Sequence, residues 1–169
     1  MPNAESANGK PYVWHEIDDL FQAVLTLYYG KNRPAKAAPL AMRMLRLLDK
    51  HDPQAETLLG MSGRWLVAEM DGDLEEAIHY REKEIGVLRE HIAKGILVTP
   101  GLRPDEFSDR LDLLASNYMD VGRYGEAMAM LNESEAFCKE HGIPFDGKDV
   151  RADVKRAMKP KKKKRLPVA

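Results

Sequence analysis

The chain has 169 residues, 44% of them hydrophobic and 31% charged, which is enough apolar material for a buried core and too much for wholesale disorder. It holds no run of about 18 uncharged apolar residues that would cross a bilayer, and the opening MPNAESANGK lacks the basic-then-apolar order of a signal peptide. A single cysteine, Cys138, excludes an internal disulfide and any multi-cysteine metal site. The formal net charge of -1 conceals two electrostatic objects: six of the 26 basic residues fall at 159–165 and no acid follows Met158, so residues 1–158 carry 20 bases against 27 acids.

Residues 1–12 read as a flexible N-terminus, 13–158 as one helical domain and 159–169 as a disordered basic tail. The first predicted helix runs from Trp14 to Tyr29, with Ile17, Leu20, Phe21, Val24, Leu25 and Tyr28 on its apolar side. A turn at 30–34 leads to a helix ending at His51, with Leu40, Met44, Leu45 and Leu48 inward. Asp52-Pro53 is expected to open the next helix, Asp as its cap and Pro in its first turn. That helix holds Leu58, Leu59, Met61, Trp65, Leu66, Ala68 and Met70, and its internal Gly60 and Gly63, each costing ~1 kcal/mol relative to Ala, mark the close passage of a neighbouring helix.

Asp71-Gly72-Asp73 is a turn, and a second long helix follows from Leu74 to about Ala93, with Asp73 and Glu76 in capping-box spacing. Ile96-Leu97-Val98-Thr99, the one β-branched cluster, sits between Gly95 and Pro100 and reads as a loop. Leu111, Leu114, Ala115, Tyr118 and Met119 then line one helix face until Gly122 breaks the pattern. A further stripe through Ala127, Met130, Leu131, Ser134, Phe137 and Cys138 ends near Gly142, which suits a left-handed cap. Residues 148–159 read as a short capping helix with Val150, Val154 and Met158 inward. The expected fold class is all-α.

Gly72-x4-Ala77 and Gly122-x4-Ala127 share one spacing, 50 residues apart. The last copy, 108–141, with Leu111, Leu114, Ala115, Tyr118, Gly122, Tyr124, Ala127 and Leu131, resembles the tetratricopeptide repeat. The middle copy, 54–93, keeps Ala68, Gly72 and Ala77 but has Trp65 where a small residue is usual and Arg81 where a large apolar one is. The first copy keeps only Ala41-x3-Leu45 and Pro53. The resemblance implies antiparallel helical hairpins stacked as a short right-handed solenoid, about three hairpins with a C-terminal capping helix. Since the family repeat is about 34 residues, the longer period implies longer second helices and an inserted loop at 94–104.

The chain offers little catalytic chemistry. Glu76-x2-His79 has the spacing of a di-iron helix unit but no second such unit accompanies it, and His51, His91 and His141 fall near helix ends, where a cation suits the macrodipole. Cys138 reads as an inert core thiol, and no phosphate loop, nucleophile elbow or nucleotide fingerprint occurs. No enzyme activity, metal or cofactor is therefore expected. The resemblance instead implies a concave protein- or peptide-binding groove. Its family positions fall on Asp109, Asp112, Ser116, Met119 and Asp120 in the last copy and on Leu59, Ser62, Leu66, Glu69 and Met70 in the middle one. An acidic and apolar groove favours a basic or amphipathic partner.

The tail residues Lys159, Lys161, Lys162, Lys163, Lys164 and Arg165 form a sequence-blind, salt-sensitive polyanion contact. In a eukaryote the same run resembles a nuclear import signal; otherwise a cytoplasmic setting is expected. The principal functional expectation is a non-enzymatic adaptor or scaffold. The alternatives are a nucleic-acid-associated protein tethered by its tail and a small secretion or assembly chaperone of the tetratricopeptide type.

Overall fold

Helix-forming periodicity is translated into seven α-helices: α1 Val13–Leu25, α2 Pro34–His51, α3 Leu58–Met70, α4 Leu74–Ala93, α5 Pro104–Asp120, α6 Tyr124–His141 and α7 Lys148–Met158. The structure, a computed structural model, describes residues 12–95 and 103–161, and among these it is all-α with no strand. The expected loop at 96–99 and tail residues 162–169 lie outside the described residues. The helices pack as chain neighbours within two compact units, Met1–Glu90 and His91–Ala169.

In the first unit α1 continues into a π-helical turn, Thr26–Gly30, before the chain returns as α2. The core is built from Ile17, Leu20, Phe21 and Val24 of α1, Ala37, Ala41, Met44 and Leu48 of α2, and Trp65 and Leu66 of α3. The inward face of α2 is thus Ala37, Ala41, Met44 and Leu48, with Leu40 and Leu45 only half-buried at its margins. Phe21 meets Trp65 edge-on at 6.1 Å between ring centres, a favoured aromatic geometry.

The start of α3 differs from expectation. Asp52-Pro53 does not cap it; Thr57 does, its hydroxyl accepting the Gly60 N–H at 2.9 Å. Asp52 instead turns inward and organises the whole connection, accepting from Glu56 N at 2.9 Å, Thr57 N at 3.1 Å and the Thr57 hydroxyl at 2.7 Å. Burial pushes its carboxyl up, but those hydrogen bonds and Arg64 outweigh the effect and hold it below the usual carboxylate range. The two glycines of α3 follow from this packing. A Cβ on Gly63 would sit 2.6 Å from Leu48 Cδ1, so α2 does pass close there; one on Gly60 would sit 1.9 Å from Asp52 Oδ2, so there the obstacle is the carboxylate. Between α3 and α4, Gly72 takes the left-handed φ of +74° that the tight turn needs, and Asp73 accepts the Glu76 N–H at 3.1 Å as the expected cap.

In the second unit α5 opens on Pro104, with the Glu106 carboxylate reaching back to Arg103 N at 3.2 Å. It pairs with α6 through Leu111, Leu114, Ala115 and Tyr118 on one side and Ala127, Leu131, Phe137 and Cys138 on the other, all buried. Ala115 and Ala127 are completely covered, as the close approach of two helices requires. Phe107 and Phe137 meet at 4.9 Å, and α6 closes on Gly142 in the left-handed region. Helix α7 packs on both α5 and α6. Val154 is fully buried and Val150 half-buried, but Met158 is 52% exposed, so the inward stripe expected through Met158 ends one turn earlier.

Candidate functional site

The helical repeat places Asp105, Asp109, Asp112, Ser116, Met119 and Asp120 of α5 in one stripe about 100° wide and ~22 Å long. Asp109 and Asp120 are exposed, while Asp105, Ser116 and Met119 are half-buried. Asp112, in the middle, is different. A Cβ on Gly147 would meet Asp112 Oδ1 at 2.8 Å, so the α6–α7 connection lies directly over the carboxylate. That oxygen is shut off from solvent without a hydrogen-bond partner.

Burial pushes the Asp112 carboxyl up to about 6, with Asp109 and Asp146 adding to the rise and the Ser134 hydroxyl and Arg151 opposing it. Asp109 is raised as well, through burial first and then its neighbours Asp105, Asp146 and Glu106. The α5 stripe is therefore a negatively charged surface, although Arg103 lies 3.4 Å from Asp105, and Arg110 and Arg151 oppose the rise at Asp109 and Asp112 respectively. Arg151, the cation that acts on Asp112, is directed mainly to Glu135 on α6 at 2.8 Å and to Asn132 at 3.2 Å, with its guanidinium 5.0 Å from the Phe145 ring centre.

The middle-copy residues occupy a different environment in the first unit. Leu66 is completely buried in the core and Ser62 is buried, so neither presents its side chain to a ligand; Leu59 and Met70 are half-buried against the same core. Glu69 is nearly covered and accepts from Arg81 Nε at 3.1 Å and Nη2 at 2.7 Å, and from the Tyr29 hydroxyl. The Arg81 guanidinium lies 3.7 Å from the centre of the Trp65 ring. Glu84, one turn along α4, accepts from the Ser62 hydroxyl and from the Trp65 indole N–H at 3.4 Å.

Arg81 and Glu84 are only 2% and 1% exposed, which makes this the most deeply buried charge network among the described residues. A planar guanidinium can stack on an indole and grip a carboxylate at once, which an ammonium does less well. The sequence signal was present in two departures from the repeat pattern, since the large Trp65 and the charged Arg81 compensate each other across the α3–α4 pair.

The remaining candidates are quickly placed. Lys159 and Lys161 are exposed just beyond α7, and Lys162, Lys163, Lys164 and Arg165 lie outside the described residues. Cys138 is buried and unpaired with another cysteine. Among the described residues no three His, Cys, Asp or Glu side chains come together as a metal-binding group, and no helix is long and apolar enough to cross a membrane. His51, His91 and His141 do occupy last turns of helices, and His141 Nδ1 lies 2.9 Å from the Phe137 carbonyl oxygen. Compared with protein-family models, with curated proteins and with solved structures, the chain matches none. What the fold defines at this level is an all-α protein of helices packed in neighbouring pairs, an arrangement compatible with a helical repeat.

Proposed function

We propose that the chain is a non-enzymatic interaction module of the tetratricopeptide-like type, whose α5 stripe receives a basic segment of a partner protein. The observation that carries this reading is the clustered negative charge at Asp109 and Asp112, whose carboxyls are raised by burial first and then by neighbouring acids. A lysine- or arginine-bearing partner would offset the net negative charge that remains, and the half-buried Met119 beside Asp120 would add apolar contact. The fully covered Ala115–Ala127 approach supports the family likeness of the α5–α6 hairpin. In this proposal Leu66 and Glu69 are scaffold residues, and the ligand contacts come from Asp105, Asp109, Ser116, Met119 and Asp120.

A cytoplasmic protein, or a nuclear one in a eukaryote, would meet such partners. Exposure of Lys159 and Lys161 supports a second reading, association with nucleic acid through the tail.

The deciding experiment is capture from nuclease-treated cell extract by the full chain and by its Asp105→Asn/Asp109→Asn/Asp120→Asn variant. Proteins retained by the parent, lost with the variant and released by moderate salt would support the module. Identical capture by both chains would overturn the α5 assignment.

A further inference from the structure

Charge in the first unit is segregated. Six of its eleven Lys and Arg residues lie between positions 31 and 50, where Asp49 is the one acid, while the remainder of the unit holds fourteen acids. On α2 the bases are Lys36, Arg43, Arg46 and Lys50, which fall within an arc of about 80° and along ~21 Å of helix. All four are exposed, opposite the buried Ala37, Ala41, Met44 and Leu48. Lys31 and Arg33, both exposed, precede the row in the turn before α2.

The row is not neutralised by its own surroundings. Asp49 is turned towards α3, where it binds Arg64 at 2.9 Å. Glu16 of α1 engages Arg43 alone. Among the described residues Lys36, Arg46 and Lys50 have no acidic partner. A merely solvated helix face interleaves acids one turn from bases and gains a few tenths of a kcal/mol per pair; α2 places Pro39, Leu40, Met42 and Leu47 in those positions, and Asp49 is the one acid among them.

We propose that this solvent face of α2 binds the phosphate backbone of a nucleic acid, without reading its sequence. Its residues are none of those in the α5 stripe or the basic tail. A membrane surface is the poorer occupant, because a helix that lies in a bilayer interface sinks an apolar face into it, and the apolar face of α2 is committed to the core. A straight row of cations needs anions repeated along a line, and a nucleic acid strand offers one about every 3.4 Å of duplex axis.

The test is fluorescence anisotropy with a labelled twenty-nucleotide single-stranded oligouridylate, using the full-length chain, a chain with the tail bases at 159 and 161–165 changed to Gln, and Lys36→Gln/Arg46→Gln/Lys50→Gln. The tail-neutralised chain should still bind, with a slope of log K against log salt of about −2 to −3, as three or four contacts on a single strand require. The α2 variant should lose about two units of that slope and on the order of a hundredfold in affinity at 0.1 M salt. Arg46→Lys should bind like the parent, since a backbone contact needs charge more than shape.

Lysine acetylation of the unaltered protein, read by mass spectrometry, gives an answer independent of any variant's folding: the oligonucleotide should protect Lys36 and Lys50 and leave the exposed Lys94 unprotected. Failure of the tail-neutralised chain to bind, unchanged binding by the α2 variant, or absence of protection at Lys36 and Lys50 would overturn the proposal. So would binding to phosphatidylserine vesicles or polyglutamate without binding to the oligonucleotide.

Discussion

Asp112→Asn should stabilise the second unit, and the gain should depend on pH. The parent carboxyl is pushed up to about 6 in the folded chain against an ordinary value of 3.8, so folding favours its protonated form. Its contribution is therefore fully present below the unfolded value and is lost as pH rises through the folded one. The gap between 3.8 and about 6 corresponds to at most ~3 kcal/mol, and solvent reaching the half-buried group reduces that to roughly 1–1.5 kcal/mol. Asn keeps the shape, retains an oxygen for Ser134, and removes the charge that Asp109 and Asp146 repel. Urea unfolding followed by far-ultraviolet circular dichroism at pH 7.5 and pH 4 measures both states. The variant should exceed the parent at pH 7.5, and the difference should shrink towards pH 4. An equal difference at the two pH values would refute the reasoning, because it would show that the Asp112 charge carries no folding penalty.

Three further outcomes test the first unit. Arg81→Met should cost about 3–5 kcal/mol in denaturant unfolding, because it strands the covered Glu69 carboxylate opposite the Trp65 face. Gly63→Ala gains ~1 kcal/mol of helix propensity but brings a Cβ within 2.6 Å of Leu48 Cδ1; a net loss of about 1–2 kcal/mol is expected, recovered in part by Leu48→Val in a double-mutant cycle. Thr57→Ala should cost ~1 kcal/mol in thermal or urea unfolding, and Pro53→Ala no more than about 0.5 kcal/mol, since the α3 cap is Thr57.

The helices were legible in the sequence because their apolar residues recur at three and four and their turns are punctuated by Gly72, Gly122 and Gly142, each left-handed in the structure. The α3 start was misleading because Asp-Pro carries the composition of a helix cap, whereas the burial of Asp52 is decided by what packs around it: Thr57, Arg64 and the space left by Gly60. Met158 continues the α7 spacing but lies in the last turn, past the reach of the core. At the candidate site, the α5 stripe follows from helical arithmetic alone. That Asp112 is roofed by the α6–α7 connection does not, because nothing local announces which loop returns to which helix. The burial of Glu84 beside Ser62 and Trp65 was hidden by the ordinary expectation that charges face water.

The placement of three side chains gives each unit its own optical or chemical reporter. Both tryptophans, Trp14 and Trp65, belong to the first unit, and the sole thiol, Cys138, is buried in the second. Indole emission therefore follows the melting of the first unit, with Trp65 sensing departure of the guanidinium stacked on it. Labelling of Cys138 by a thiol reagent times the opening of the second. If the two signals change at different denaturant concentrations, the units unfold separately, and the gap between the midpoints reports how far their own stabilities differ.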